Sequence, residues 1–466
     1  MSHHRPRRRP GDRRPVVAMS LAASALVTGC RTYEPAPIDL DRLERSFLER
    51  SVDAAPTSAG DAAEQPVTLD LATAEQACLL LNADLRVRRA EAGVAEAAAD
   101  WGGRWPDPVV GLDLTRLLAS VSNPVELLGS IGFTLPVSGR LEIEKTRLGR
   151  AHARVLIELE ALEWRTRLAV RDAWYRWSAA DAEHATTASF VTAIDELLRL
   201  VDAMESTGDL SRVEARIFRL ARLDARVALT RLDADRETAR LELLRLVGVP
   251  PSADVVLAPI ETPASASADD VDLQHAPDVR IALAAYEVAE ATLEQAIREQ
   301  CPDLGLAPGY GTRDGYRQVG IGVSIPIPIF DGNRREIETA LAARAAAAVE
   351  VERRLERAAA SLAVARTTLD RAIERRRLVE DDLLPLVDTQ FREIRTLADL
   401  GQVDTLVLLD GLTRRRDATV TLIRARRDEA VAANRIRSIA GPPDASATAS
   451  SSTPASAGPR SSGDSA

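Results

Sequence analysis

Four short segments of this chain alternate apolar with small or polar residues. Val110, Leu112 and Leu114 stand opposite Gly111, Asp113 and Thr115, and Ile131, Phe133 and Leu135 stand opposite Gly132 and Thr134. Farther on, Leu304 and Leu306 oppose Gly305 and Ala307. Val319, Ile321, Val323, Ile325, Ile327 and Ile329 oppose Gly320, Gly322, Ser324, Pro326 and Pro328. A period of two predicts strands with one apolar and one wet face, which is also the pattern of a strand in a membrane barrel. Around them the period changes to that of helices, predicted at about 70–101 and 276–299. Much longer ones are predicted over Gly139 to Gly208 and Asn333 to Gly401. Leu148, Ala151, Val155, Leu159 and Leu162 follow a 3, 4, 4, 3 spacing, a narrow coiled-coil seam. Some 65 helical residues reach roughly 100 Å at about 1.5 Å per residue, too long for a compact domain. Each long helix turns at a glycine and returns, ending near Val247-Gly248 and Ile439-Ala440-Gly441.

These elements occur twice. Asp84, Arg86, Val94-Ala95-Glu96-Ala97, Pro108 and Gly111 recur as Asp278, Arg280, Val288-Ala289-Glu290-Ala291, Pro302 and Gly305, all at an offset of 194. Gly208 recurs as Gly401 at an offset of 193. A shared offset across helix, strand and turn positions marks a duplicated unit, with a first repeat over 67–270 and a second over 271–441. Pro385 has no counterpart in the first repeat, so a break or kink is expected in the second alone.

The N-terminus changes the picture. Residues 5–14 carry six arginines, residues 16–29 are apolar or small, and the run ends Leu26-Val27-Thr28-Gly29-Cys30. A basic stretch before an apolar one too short to span reads as a secretory signal over 1–29. Its ending resembles a bacterial lipobox, which implies cleavage before Cys30 and acylation of that cysteine. Residues 30–66 then read as a lipidated tether with a short helical patch at Leu40–Val52. Residues 442–466, rich in Ser, Ala, Pro and Gly, read as a disordered tail. Without the signal, 54 basic residues face 69 acidic ones, which argues against nucleic acid as a partner. Aromatics make up 3% of the chain and Lys145 is its only lysine. Such a composition favours extended helices with thin seams. Cys78 and Cys301 lie too far apart to suggest a disulfide framework and read as buried residues at helix ends.

No apolar run in the mature chain is long enough for a membrane-spanning helix. If the chain spans a membrane, it does so with strands. Four strands cannot close a barrel, and an open edge cannot stay in lipid, so several chains would have to share one barrel. Trp101, Trp105, Phe133, Tyr310, Tyr316 and Phe330 lie in or beside the strand segments, a placement that fits an interfacial girdle.

Strand pairs joined to long helical hairpins, in tandem, resemble the TolC-type outer-membrane efflux proteins. The resemblance rests on Leu81-Asn82-Ala83-Asp84-Leu85, Ala276-Pro277-Asp278-Val279, the strand exit Ile325 to Arg334, and the tip Gly401 to Asp410. It implies a fold that is mainly α with a transmembrane β part. In that fold a trimeric α-helical barrel continues into a shared 12-stranded β-barrel, four strands per protomer. It also implies a homotrimer, contact with outer-membrane lipid, and a periplasmic adaptor and an inner-membrane pump as partners. The helical tips around Gly208, Leu210 and Ser211, and around Gly401 and Val403, correspond to the adaptor-docking ends. Relatives often carry acidic residues six and nine positions after the second tip glycine, narrowing the pore. Here the ninth is Asp410 and the sixth is Val407, so the resemblance implies one carboxylate ring. Glu214, six after Gly208, matches an acidic tip position of the first repeat, so the resemblance implies it as a second pore-constriction residue.

Catalytic chemistry is not legible. His3 and His4 leave with the signal, and His152, His184 and His275 are scattered; there is no CxxC, HExxH or phosphate-binding glycine loop. No enzyme, metal or cofactor is expected. The expected function is a passive outer-membrane conduit of a tripartite efflux or type I export system. The rival is a periplasmic coiled-coil lipoprotein without a pore, which has no need of four alternating strands.

Overall fold

The computed structural model describes residues 32–50, 67–116, 118, 125–260, 271–313, 315–399 and 405–443. The chain divides into two units, Met1–Glu49 and Arg50–Ala466. In the first, helix α1 (Leu40–Leu48) is capped by the Asp39 carboxylate, which accepts from Arg42 N at 3.0 Å. The signal, Cys30, most of the tether and nearly all of the tail lie outside the described residues.

The second unit opens with strand β1 (Val67–Leu69), then helices α2 (Leu71–Leu81) and α3 (Ala83–Trp101). The single helix expected over 70–101 is therefore two. Asn82 leaves helical geometry, with φ −59° and ψ 130°, and its side chain caps the next helix by accepting from Asp84 N and Leu85 N. Its amide also donates to Leu246 O at 2.8 Å. An asparagine whose oxygen satisfies orphan N–H groups starts a helix more readily than it continues one. The second repeat solves the same problem with Ala276-Pro277: α6 (Pro277–Arg298) has no side-chain cap and puts proline first, where no N–H is needed.

Four antiparallel strands follow the order β2 (Val109–Arg116), β3 (Val125–Leu135), β5 (Leu304–Arg313), β6 (Tyr316–Ser324). Register places Val110 beside Ile131, Leu306 beside both Phe133 and Val323, and Tyr310 beside Val319, so one face is apolar across all four strands. The other face carries Gly111 beside Ser130, Ala307 beside Gly322, and Gly309 beside Gly320. β6 stops at Ser324, short of the strand expected to reach Ile329. Pro326 and Pro328 have no N–H to give a ladder, and Ile325 to Phe330 run on as exposed chain outside the sheet.

Helix α4 (Arg140–Thr207) spans 68 residues and ends at Gly208, φ 84°. α5 (Arg212–Val247) returns beside it and ends at Gly248, φ 91°. In the second repeat the outgoing helix is interrupted: α7 (Arg334–Arg377), a π-helical turn (Leu378–Leu383), then α8 (Leu384–Asp399). The π turn lies just ahead of Pro385. A proline ring clashes with the carbonyl four residues back, here Asp381, and the wider turn makes room for it. α4 has no such break, as the missing proline predicts. α9 (Thr405–Ala440) returns. α4 is central, packing on α5, α6 and α9, while α7 packs on α6 and α9.

The main core lies where β1 pairs in parallel with β4 (Val255–Leu257) over α2 and α4. Trp174 is fully buried there, and its indole donates to Ala258 O at 3.1 Å. Cys78 is buried as expected, and burial pushes its thiol up to about 12. Cys301 is exposed, contrary to expectation, because the chain has already left α6 and turns toward β5.

Candidate pore and docking tips

The sheet supplies one end of the site. Its small-residue face brings glycine, serine and threonine together with Arg313, which pairs with Glu126 at 3.4 Å. The opposite face leaves Val110, Leu112, Leu114, Val319, Ile321 and Val323 exposed, a contiguous apolar surface on a single chain. Such a patch needs lipid or protein against it. Trp101, Trp105 and Phe330 lie exposed at the helix end of this sheet, and Tyr316 lies exposed at the other end, beside Arg313 on the small-residue face. Arg104 stacks over Trp101, 3.7 Å from its ring centre. The outer strands β2 and β6 have no partner on their far sides within the described residues.

The hairpin tip is the other end. Gly208 adopts the left-handed conformation there, and Asp209 N and Leu210 N donate to Met204 O at 2.9 and 3.2 Å. Ser211 is the N-cap of α5, its hydroxyl accepting from Glu214 N while the Glu214 carboxylate accepts from Ser211 N at 2.9 Å. This reciprocal capping box closes both orphan groups. It gives Glu214 a structural role beside the pore-lining one that the resemblance implies. Leu210 is buried with Phe190, Ile194, Val201, Phe218 and Leu409, so it fixes the tip from beneath while the Gly208 backbone is presented outward. Gly401 and Val403 lie outside the described residues.

Asp410 is exposed on the first turns of α9 and accepts from Arg414 Nε at 2.7 Å, a pairing one helical turn away. Its place along the helix carries more information. Asp410, Asp417, Arg424 and Val431 recur every seven residues, and an α-helix drifts only about 20° per heptad from that repeat, so they share one face of α9. Arg424 on this line holds the buried Glu183 of α4 through Nη2 at 2.7 Å, and that hydrogen bond raises the arginine's pKa. The line of residues escapes a reading by motif, though its seven-residue spacing is the signal that could have found it. Among the described residues, no group of three metal-binding side chains comes together, and no helix is long and apolar enough to cross a membrane.

Residues 271–442 match the family model described as outer membrane efflux protein. That match covers the second repeat. No curated protein sequence matches the chain with significance. Solved structures extend the likeness to both repeats. A membrane protein from Pseudomonas aeruginosa aligns with a TM-score of 0.69 at 17% identity, over 83% of this chain and 97% of that one. The outer membrane protein VceC from Vibrio cholerae aligns at 0.66 and 15% identity, over 80% and 96%. The MtrE outer membrane channel of Neisseria gonorrhoeae, in its open state, aligns at 0.64 and 16%, over 88% and 98%. The fold is therefore that of the TolC-type outer-membrane channels, mainly α with a four-stranded β part in each chain.

Proposed function

We propose that three copies of this efflux protein form the outer-membrane channel of a tripartite efflux or type I export system, a passive conduit driven by an inner-membrane pump through a periplasmic adaptor. The observation that carries this reading is the four-stranded sheet, apolar on one face and small or polar on the other, with both edges open among the described residues. Unpaired backbone in lipid costs several kcal/mol per group, and pairing β6 of one copy with β2 of the next removes every edge. The helices leave matching work for a neighbour. α5 packs on α4 and α2 with one face, yet Val213, Ile217, Leu220 and Val227 stay exposed at coiled-coil spacing on another. A pore-less spacer would have no use for the sheet.

At the periplasmic end, the tip around Gly208 to Ser211, with Gly401 and Val403, is the proposed adaptor contact, and Asp410 the proposed constriction, with Glu214 the next candidate. Three Asp410 carboxylates near one axis would attract cations and raise the barrier to anions. Asp410→Asn is expected to increase anion conductance and weaken block by multivalent cations in planar bilayers. Unchanged selectivity, with only a loss of stability from the broken Arg414 pair, would reduce Asp410 to a surface carboxylate.

Acylation at Cys30 would hold the N-terminus at the outer membrane. Cys30→Ser should leave unprocessed precursor or a weakly retained protein. Mass spectrometry finding an unmodified mature N-terminus other than Cys30 would rule the anchor out.

A further inference from the structure

Midway along the long helices, α4, α7 and α9 enclose a groove of about 1190 Å³. Five arginines line it against two aspartates: Arg176 from α4, Arg371 and Arg375 from α7, Arg427 and Arg435 from α9, with Asp172 and Asp428. Asp428 is already engaged by Arg375 at 2.7 Å and Arg427 at 2.8 Å, and Arg371 pairs with Glu374 at 2.6 Å. Arg176 and Arg435 are placed differently: neither reaches a carboxylate within 4.0 Å among the described residues. Their charges act at longer range on Asp172, whose carboxylate is held by Asn434 Nδ2 at 2.8 Å. Between the arginines the wall is apolar, with Val364, Val431 and three alanines.

The groove has a definite side. Asp172 and Arg176 stand two residues before and after Trp174, and two residues along an α-helix are about 200° of rotation. Trp174 points into the core under β4, so the groove opens on the opposite face of the helix layer. The face under β1, β4 and α2 is covered, whereas a conduit needs an uncovered inner face along its length. The groove side is then the inner one. Val431 ties this to the tip, since it is the last member of the Asp410, Asp417, Arg424 line on α9.

We propose that this groove binds amphipathic organic anions on the tunnel wall as they pass, a substrate class deduced on the reading of the protein as a conduit. A carboxylate or sulfonate would take the guanidinium forks of Arg176 and Arg435, which match such groups in a planar, two-bond geometry. The apolar body would lie on Val364 and Val431. A cleft lined by one sign of charge with low-dielectric walls concentrates counter-ions, and threefold symmetry would place three such clefts around the axis.

The test uses the purified full-length trimer with two probes of equal size and opposite charge, naphthalene-2-sulfonate and 2-naphthyltrimethylammonium. Binding is read by calorimetry and by current block in planar bilayers. The sulfonate is expected to bind better than the ammonium. Arg176→Gln with Arg435→Gln should weaken the sulfonate by about tenfold, as loss of hydrogen bonds to a charged group does, with ammonium binding no weaker. Asp172→Asn should tighten the sulfonate, an effect that damage to the fold would not imitate. Equal binding of the two probes, or sulfonate binding indifferent to all three substitutions, would overturn the proposal. A wild-type protein without conductance would instead sink the conduit reading. Conductance without arginine-dependent sulfonate binding would sink the groove alone.

Discussion

Ile321→Arg is expected to block assembly of the trimer in the outer membrane, and Gly320→Arg, one residue away, to be tolerated. Ile321 lies on the apolar face beside Pro308, flanked by Val319 and Val323, all well exposed on a single chain. A charged side chain facing lipid near the midplane of a barrel costs about 2–4 kcal/mol, and each trimer would carry three of them. Gly320 lies on the small-residue face, and a Cβ built there meets nothing within 4 Å. An arginine at 320 would reach into a wet lumen, where its charge stays solvated. The measurement is the yield of heat-modifiable trimer extracted from membranes. Equal yields for the two variants would show that neither face of the sheet meets lipid.

Gly248→Ala is the second large effect expected, at about 3 kcal/mol or more, the sum of left-handed backbone strain and a steric clash. Gly248 has φ 91°, and a Cβ there would sit 2.9 Å from Asn82 N and closer still to the Leu81 carbonyl. Its own carbonyl accepts from Arg50 Nη1 at 2.9 Å, so the residue joins the end of α5, the break between α2 and α3, and the Arg50 side chain. Gly208 is the control. It has φ 84° but nothing within 4 Å of its Cβ position, so Gly208→Ala should cost only the backbone term, about 1–2 kcal/mol. Thermal unfolding of the two variants side by side reads the difference. Equal losses would mean that the Leu81 and Asn82 backbone moves aside freely.

The alternating faces, the glycine turns and the duplication were legible because each is a local property. A period of two fixes which side chains share a face of a strand, and the structure keeps that division through all four strands. Gly208 and Gly248 end their helices in the left-handed conformation that only glycine adopts without strain. Pro385 predicted a break, but whether a kink or a π-helical turn would absorb it depended on how α7 and α8 pack against α9.

Local pattern thus carries the inventory of parts: two copies of helix, strand pair and helical hairpin, with an apolar strand face that one chain cannot cover. How charges from distant segments meet was settled only by packing. Arg424 and Glu183 are 241 residues apart, and their pairing follows from α9 lying against α4. The arginine groove needs three helices at once, so no window of sequence contains it. The break at Asn82 belongs here too, because the amide that caps α3 is held by Leu246 O, 164 residues away. Periodicity records how each residue is turned about its own helix or strand, and the positions of those elements relative to one another are set by packing between segments far apart in the chain.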